Sequence, residues 1–517
     1  MVTARKSIAY NSIFSLTDKT YTALSGLLLI PFIIHQIGVS AYGFWVILIT
    51  VSGYFSLGSI GISTAFEKYI AQYLALNDHK TLNRFIATAF YASAFLGLIV
   101  YGLASVFASP VFHMLLKNTT FDNYHTLFSM LMLSVVMSII GAIFIAVPRG
   151  FQRFDIVAGI SMAGRSIYIF CTVMLCLKGY GVWALVYAQI AYVATTVVCS
   201  SYVAARRIRG FACLPQYFDW HICIETVTFG AKMFISLCAV LVTQSFDKLV
   251  IAYFMDVRSV ALYDIGARLI VFVKDVPSFI YSVITPRTSE LHALDNVEEL
   301  RSVYIRGTKY ISIVCAGIIA LMFPVAREIL TVWIGKTIDP FSIYIFQVLL
   351  FSTMLYVTTG FGTAIGIGIG KPGAIAFVNI LMAVINIVGS ILLFYFFKIW
   401  GIVWGTALGM LISSFIYYYI LNGQMQIKQW YFWKKTLVFP VLVNMCAILV
   451  IAGVKHVVGY VEPIGTVALY GIIIGNAAVI AVVNVAALKI SGFVTLSEVA
   501  HYLPFMKKYM QTREQLA

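Results

Sequence analysis

Charge is what this chain has least of. Only 11% of its 517 residues are Asp, Glu, Lys or Arg, against 61% hydrophobic, and the mean hydropathy is +0.94. A soluble globular domain does not have that composition; a chain that crosses a membrane many times does. Long hydrophilic stretches are missing too. The two longest connections between apolar runs, 205–225 and 286–304, hold about 20 residues each, which leaves no place for a catalytic domain outside the membrane. There is no Walker loop and no serine or cysteine nucleophile motif, and the eight His are scattered without metal-ligand spacing. The chain is therefore expected to be no enzyme, to hydrolyse no ATP and to hold no cofactor or metal. A membrane glycosyltransferase or polymerase would need a large loop or an interfacial acidic pair that this sequence lacks. The eight Cys form no CxxC pair and most lie in apolar runs, where they serve as small apolar filler. The first apolar run carries Asp18 and Lys19 and lacks a small-x-small site, unlike a cleavable signal.

What is present is a series of apolar runs. A span needs about 20 mostly apolar residues. Fourteen segments qualify: 11–36, 42–66, 83–108, 123–148, 155–177, 181–204, 226–254, 260–285, 305–327, 342–369, 373–397, 401–421, 435–458 and 463–488. With the N-terminus inside, 22 of the 35 Lys and Arg fall in inside connections and 7 in outside ones, the other six being intramembrane. That asymmetry predicts both termini in the cytoplasm. It accounts for most of the +15 net charge without nucleic acid. Asn296 with Glu299, and Thr495 with Glu498, have capping-box spacing. After the second, Phe493, Leu496, Ala500 and Leu503 mark one apolar face, so the tail reads as an interfacial helix.

The chain says similar things twice. Ala75-Leu76-Asn77-Asp78 is echoed by Ala293-Leu294-Asp295-Asn296, Lys178-Gly179-Tyr180-Gly181 by Lys398-Ile399-Trp400-Gly401, and Val39-Ser40-Ala41-Tyr42 by Val260-Ala261-Leu262-Tyr263. The offsets run from 218 to 221. Six spans per copy is an even number, so the copies are parallel. The expected architecture is an all-α polytopic membrane protein of about 14 spans. Two parallel six-helix repeats form an N-lobe (1–210) and a C-lobe (211–425) around a central cavity, followed by an added pair (426–490) and a cytoplasmic amphipathic tail (491–517).

Six basic residues lie more than five residues from either end of an apolar segment: Lys19, Arg165, Lys232, Lys248, Arg268 and Lys274. Each costs roughly 2.5–3.5 kcal/mol at bilayer depth, so six together suggest a wet interior that meets an anion. At 100° per residue, Lys232, Ser236, Thr243 and Asp247 share a stripe, as do Asp264, Arg268 and Asp275, and as do Asn11, Ser15, Asp18, Thr22 and Ser25. Asp264 and Arg268 have i,i+4 spacing and are placed to hold each other. The adjacent pairs Asp18-Lys19, Asp247-Lys248 and Lys274-Asp275 diverge by about 100° and are expected to reach other helices. The bland readings differ by residue. Lys248 and Lys232 lie near enough to the span ends to snorkel, and Arg165 has no acid within a turn and reads equally as a structural bond to backbone. Asp18, Asp247, Asp264 and Asp275 read either as ion or proton sites or as salt-bridge partners. Gly360, Gly362, Gly366, Gly368 and Gly370 read as close helix packing or a bend, and Pro31 and Pro277 as kinks.

The run Pro31-Phe32-Ile33-Ile34-His35-Gln36-Ile37-Gly38-Val39-Ser40-Ala41-Tyr42-Gly43-Phe44-Trp45 resembles the opening of bacterial polysaccharide flippases. These are the Wzx-type and polysaccharide-transporter members of the multidrug/oligosaccharidyl-lipid/polysaccharide exporter (MOP) superfamily. Gly58-Ser59-Ile60-Gly61-Ile62, Glu67-Lys68-Tyr69-Ile70-Ala71 and Asp247-Lys248-Leu249-Val250-Ile251 extend the likeness. The resemblance implies two six-helix lobes with alternating access. It implies transfer of an undecaprenyl-pyrophosphate-linked oligosaccharide (an O-antigen, capsule or exopolysaccharide repeat unit) from the cytoplasmic to the periplasmic leaflet. Expected partners are that lipid-linked oligosaccharide, membrane lipids, and a polysaccharide polymerase with its chain-length regulator. The related peptidoglycan-precursor flippases carry cavity basic residues in spans one, two and eight; Lys19 and Arg268 match, whereas the second span here has no Lys or Arg before Lys68. The rival is a multidrug or metabolite cation antiporter of the same superfamily, which would want acidic sites to dominate. Six basic residues against four acidic ones tilt away from it.

Overall fold

The computed structural model describes residues 8–116, 123–208, 210–211, 213–335, 338–458, 466–491 and 493. Within them every regular element is a helix: α1 Ile8–Ile37, α2 Val39–Ala75, α3 His79–Leu115, α4 Tyr124–Gly150, α5 Phe154–Leu177, α6 Val182–Arg207, α7 Trp220–Phe254, α8 Val257–Ala293, α9 Val297–Met322, α10 Ala326–Ile334, α11 Pro340–Gly368, α12 Pro372–Phe397, α13 Ile399–Gln424, α14 Gln429–Trp433, α15 Phe439–Val458 and α16 Thr466–Ser491. A π turn at Lys434–Val438 joins α14 to α15, and one 3-10 turn, Pro215–Tyr217, lies before α7. The protein is an all-α, multi-pass membrane protein. Twelve helices are long and apolar enough to cross a bilayer, judged on the described residues. Each of the fourteen expected segments overlaps a long helix, and α10 and α14 are additional short ones. Helices α7 and α8, outside the twelve, carry four of the six intramembrane basic residues. Helices α1 and α8 continue through Pro31 and Pro277.

Short polar side chains set the helix starts. Asp78 accepts the Thr81 N–H and hydroxyl at 2.9 and 2.6 Å, and these bonds hold its carboxyl below the usual carboxylate range. Asn296 accepts the Glu299 N–H at 3.1 Å and donates its side-chain amide to the Glu299 carboxylate at 3.1 Å, so the start is capped by this pair, but the Asn296 backbone N–H goes to the Leu291 carbonyl and not to Glu299 as in a capping box. Thr495 and Glu498, with the rest of the amphipathic tail apart from Phe493, lie outside the described residues. Left-handed turn residues recur at a steady spacing: Asn77 and Asp295 (φ 54 and 53), Gln152 and Gly370 (55 and 72), Gly179 and Lys398 (80 and 53). Each pair is separated by 218 or 219 residues.

The chain forms two compact units, residues 1–272 with 379–409, and residues 273–378 with 410–517. In the first unit α4 and α5 pack on α6, and α2 packs on α4 and α7. Its core includes Phe66, Phe85, Phe144 and Ile208. Within the same unit Gly401, Gly405 and Gly409 line one face of α13 against α12. A methyl at Gly405 would strike Ser390, and one at Gly401 would strike the Leu393 backbone. The GxxxGxxxG spacing therefore brings two backbones together. The second unit is built on Tyr304, Phe361, Tyr418 and Phe432. Here Gly362 abuts Leu421 and Tyr417, and Gly368 abuts Thr288, so these glycines serve close packing, while Gly370 takes φ +72 just past the end of α11. Lys455 of α15 reaches the buried Glu328 of α10 at 2.8 Å and the Pro324 carbonyl at 2.6 Å.

Candidate substrate and coupling site

The first unit holds two buried carboxylates with opposite surroundings. Asp264 of α8 is 2% exposed and is saturated by charge. Its Oδ1 meets Lys248 Nζ of α7 at 2.6 Å. Its Oδ2 accepts Tyr42 Oη of α2 at 2.6 Å and Arg268 Nη2 at 2.8 Å. The i,i+4 spacing expected to join Asp264 to Arg268 does so, and Lys248, instead of rising to the headgroups, turns onto the same carboxylate. Two cations on one anion leave the cluster with one net positive charge. The Arg268 side chain is 40% exposed, that of Lys248 17%.

Asp247, 3% exposed, meets neutral groups among the described residues. It accepts from Tyr263 Oη of α8 at 2.6 Å, Thr406 Oγ1 of α13 at 2.7 Å and Asn386 Nδ2 of α12 at 3.1 Å. Thr406 and Asn386 also bond each other at 2.9 Å, a contact made possible by the glycine face of α13. Asn386 Oδ1 is buried without a hydrogen-bond partner. The Asp247 carboxylate and the Thr406 hydroxyl are oxygens of the kind a small cation or a proton uses, whereas Asn386 turns its Nδ2 to both of them. No group of three His, Cys, Asp or Glu able to hold a metal gathers among the described residues. Asp247-Lys248 and Tyr263-Asp264 are consecutive on facing helices, so α7 and α8 are joined by two adjacent rungs.

The other predicted residues are more dispersed. Arg165 donates to Ser25 Oγ at 2.9 Å and lies 4.9 Å from the Tyr168 ring, tying α5 to α1 through side chains instead of backbone carbonyls. Lys19 is exposed. Asp18 has one buried oxygen without a hydrogen-bond partner and lines a cavity of about 340 Å³ with Arg149, Tyr192 and several Ser and Thr. In the second unit Lys274 lies 5.2 Å from the Tyr356 ring centroid. The side chains of Lys232 and Asp275 lie outside the described residues. The sequence reading missed Tyr42, Tyr263, Asn386 and Thr406. The one local signal was an Asn in the middle of a strongly apolar run.

The family model described as "Polysaccharide biosynthesis protein" matches residues 37–342, more than half of the chain. The chain belongs to the polysaccharide biosynthesis protein family. Within that family setting it is 21% identical over 359 residues to the Shigella flexneri protein named "Putative O-antigen transporter", covering 66% of this chain and 81% of that one. It is 21% identical over 379 residues to the Bacillus subtilis (strain 168) "Uncharacterized membrane protein EpsK", covering 70% and 72%. Its fold is that of the lipid II flippase MurJ in an inward closed conformation, with TM-score 0.69 at 11% identity over 92% of this chain and 98% of that one. A multidrug resistance MATE family transporter of the MOP superfamily, inward-facing, aligns with TM-score 0.62 at 15% identity, covering 80% and 94%.

Proposed function

We propose that this chain is a flippase that moves an undecaprenyl-pyrophosphate-linked oligosaccharide, an O-antigen, capsule or exopolysaccharide repeat unit, from the cytoplasmic to the periplasmic leaflet by alternating access. The observation that carries the reading is the net-positive Asp264–Lys248–Arg268 cluster, buried in an apolar helix bundle of a polysaccharide biosynthesis family member. A pyrophosphate cannot enter hydrocarbon bare. A wet cationic interior accepts it while the polyprenyl tail stays in lipid. Lys19, Arg165, Lys232, Lys248, Arg268 and Lys274 supply the positive charge, distributed widely enough that the headgroup can leave again. The two repeats act as lobes, residues 1–210 and 211–425, with 426–490 as an added pair, and the steady spacing of the left-handed turns supports that division. The protein sits in the bacterial inner membrane with both termini cytoplasmic, beside a polymerase and a chain-length regulator.

Asp247 is the proposed coupling group, for a proton or a monovalent cation. Its three neutral donors support this, because a carboxylate without a basic partner can exchange its counter-ion. The same feature favours the second reading, a multidrug or metabolite cation antiporter, since the MATE fold is shared.

The test is complementation of a strain lacking this gene. Lys19→Ala, Arg268→Ala and Lys274→Ala together are expected to abolish surface glycan with protein still in the membrane; full export by the triple variant refutes the charge role. Drug sensitivity of the deletion strain with intact glycan would favour the antiporter.

A further inference from the structure

The exposures within the Asp264 cluster are unequal. Asp264 and Lys248 are 2% and 17% exposed, whereas Arg268 is 40% exposed. A ligand meets Arg268 first. One Nη of Arg268 is engaged by Asp264 Oδ2, and its Nε is buried without a hydrogen-bond partner, so Asp264 holds the guanidinium from one side only. A guanidinium has five N–H donors in a rigid fork, more than Asp264 and the neighbouring Tyr42 hydroxyl occupy. Alone with Asp264, however, Arg268 would form a neutral pair, and a neutral pair gives an anion little attraction. Lys248 changes that balance. Its ammonium lies 2.6 Å from Asp264 Oδ1, the oxygen that Arg268 does not use. Tyr42 adds a neutral bond to Oδ2 that helps fix the carboxylate without altering charge.

We infer that Lys248 is a positioning residue that acts on the anionic ligand through Arg268: it neutralises Asp264, so that Arg268 keeps its full charge for the headgroup. Among the six basic residues of the proposed cavity, Lys248 thus contributes its charge by balancing Asp264 and not by touching the ligand. The inference rests on the flippase reading for its ligand, a prenyl pyrophosphate, and deepens that reading by separating the cation that binds from the cation that balances.

Charge compensation tests this directly. Undecaprenyl pyrophosphate binding is measured on the full-length, detergent-solubilised protein. The variants are Arg268→Ala, Lys248→Met and the double variant Lys248→Met with Asp264→Asn, each with its melting temperature. Arg268→Ala and Lys248→Met are each expected to weaken binding on the order of tenfold, the loss of one charge opposite pyrophosphate at close range. The double variant removes the balancing pair together, leaves Arg268 charged, and is expected to bind within about threefold of wild type, since replacing a whole buried pair is tolerated. A double variant as weak as Lys248→Met means that Lys248 touches the ligand, and overturns the inference. Weak binding by Arg268→Ala with wild-type binding by Lys248→Met overturns it while leaving the substrate reading intact. Wild-type binding by Arg268→Ala overturns the substrate role of this cluster and the inference with it. Should Lys248→Met fail to fold, the double variant carries the test alone: wild-type-like affinity supports the inference and a tenfold loss overturns it.

Discussion

Asp247 and Asp264 are both buried aspartates, yet removing them should produce different damage. Asp264→Ala would leave Lys248 and Arg268 facing each other with no carboxylate. Breaking a buried pair from one side costs about 3–5 kcal/mol, so a large fall in melting temperature is expected in detergent, partly recovered when Lys248→Met is added. Asp247→Leu leaves the Tyr263 hydroxyl and one Asn386 N–H without their acceptor, while Thr406 can still turn to the Ile402 carbonyl at 3.2 Å. Unsatisfied buried donors cost about 1–3 kcal/mol each, and Asp247→Asn, which can still accept, should melt closer to wild type. If Asp247 is the coupling group, Asp247→Asn nevertheless loses the dependence of glycan export on the ion gradient. Export that keeps its gradient dependence in that variant would remove Asp247 from the coupling step.

At the scale of helices, the site depends on how closely α12 approaches α13. Gly405 has no room for a side chain against Ser390, and Gly409 lies against Asn386. Gly405→Val should therefore push the two helices apart, break the 2.9 Å contact between Asn386 and Thr406, and lower thermal stability. Gly471 of α16 has open space around it, so Gly471→Val serves as the control and should melt within about 0.5 kcal/mol of wild type. Equal losses in the two variants would argue against a packing role for the α13 glycines. Much of this level was legible in advance. Hydropathy marked the long apolar helices, and Asn296 with Glu299 marked a start, because helix formation and capping depend on residues within a turn of one another. The α13 glycine stripe went unread although its spacing was visible, since GxxxG acquires meaning only once a facing helix is known.

For the whole molecule, the expected topology puts both termini on one face of the membrane. A single cysteine added at position 2 or 516 in a cysteine-free background should resist impermeant thiol reagents in intact spheroplasts and react in inverted vesicles. Labelling from outside would reverse the orientation derived from 22 inside and 7 outside basic residues. A deletion strain should accumulate lipid-linked glycan facing the cytoplasm, and accumulation on the outer face would place the defect after translocation.

By itself the sequence determined that this is a helical membrane protein with charge held inside it, because hydropathy and helical period are local properties that survive without partners. It also marked Asp247, Lys248, Asp264 and Arg268, though not the buried Glu328 that pairs with Lys455. The i,i+4 spacing already paired Asp264 with Arg268; that Lys248 joins the same carboxylate while Asp247 takes neutral donors was decided by the tertiary structure. Asp247 and Lys248 are neighbours in the chain and point to different partners. Asp247 takes Asn386 and Thr406, 139 and 159 residues away, and Asp264 takes Tyr42, 222 residues away. Successive residues on a helix diverge by about 100°, and Tyr, Asn and Thr leave no charge signal in a sequence. The pairing that leaves one cation in excess joins two consecutive helices, α7 and α8, whereas the neutral shell around Asp247 closes only where the distant α12 and α13 arrive.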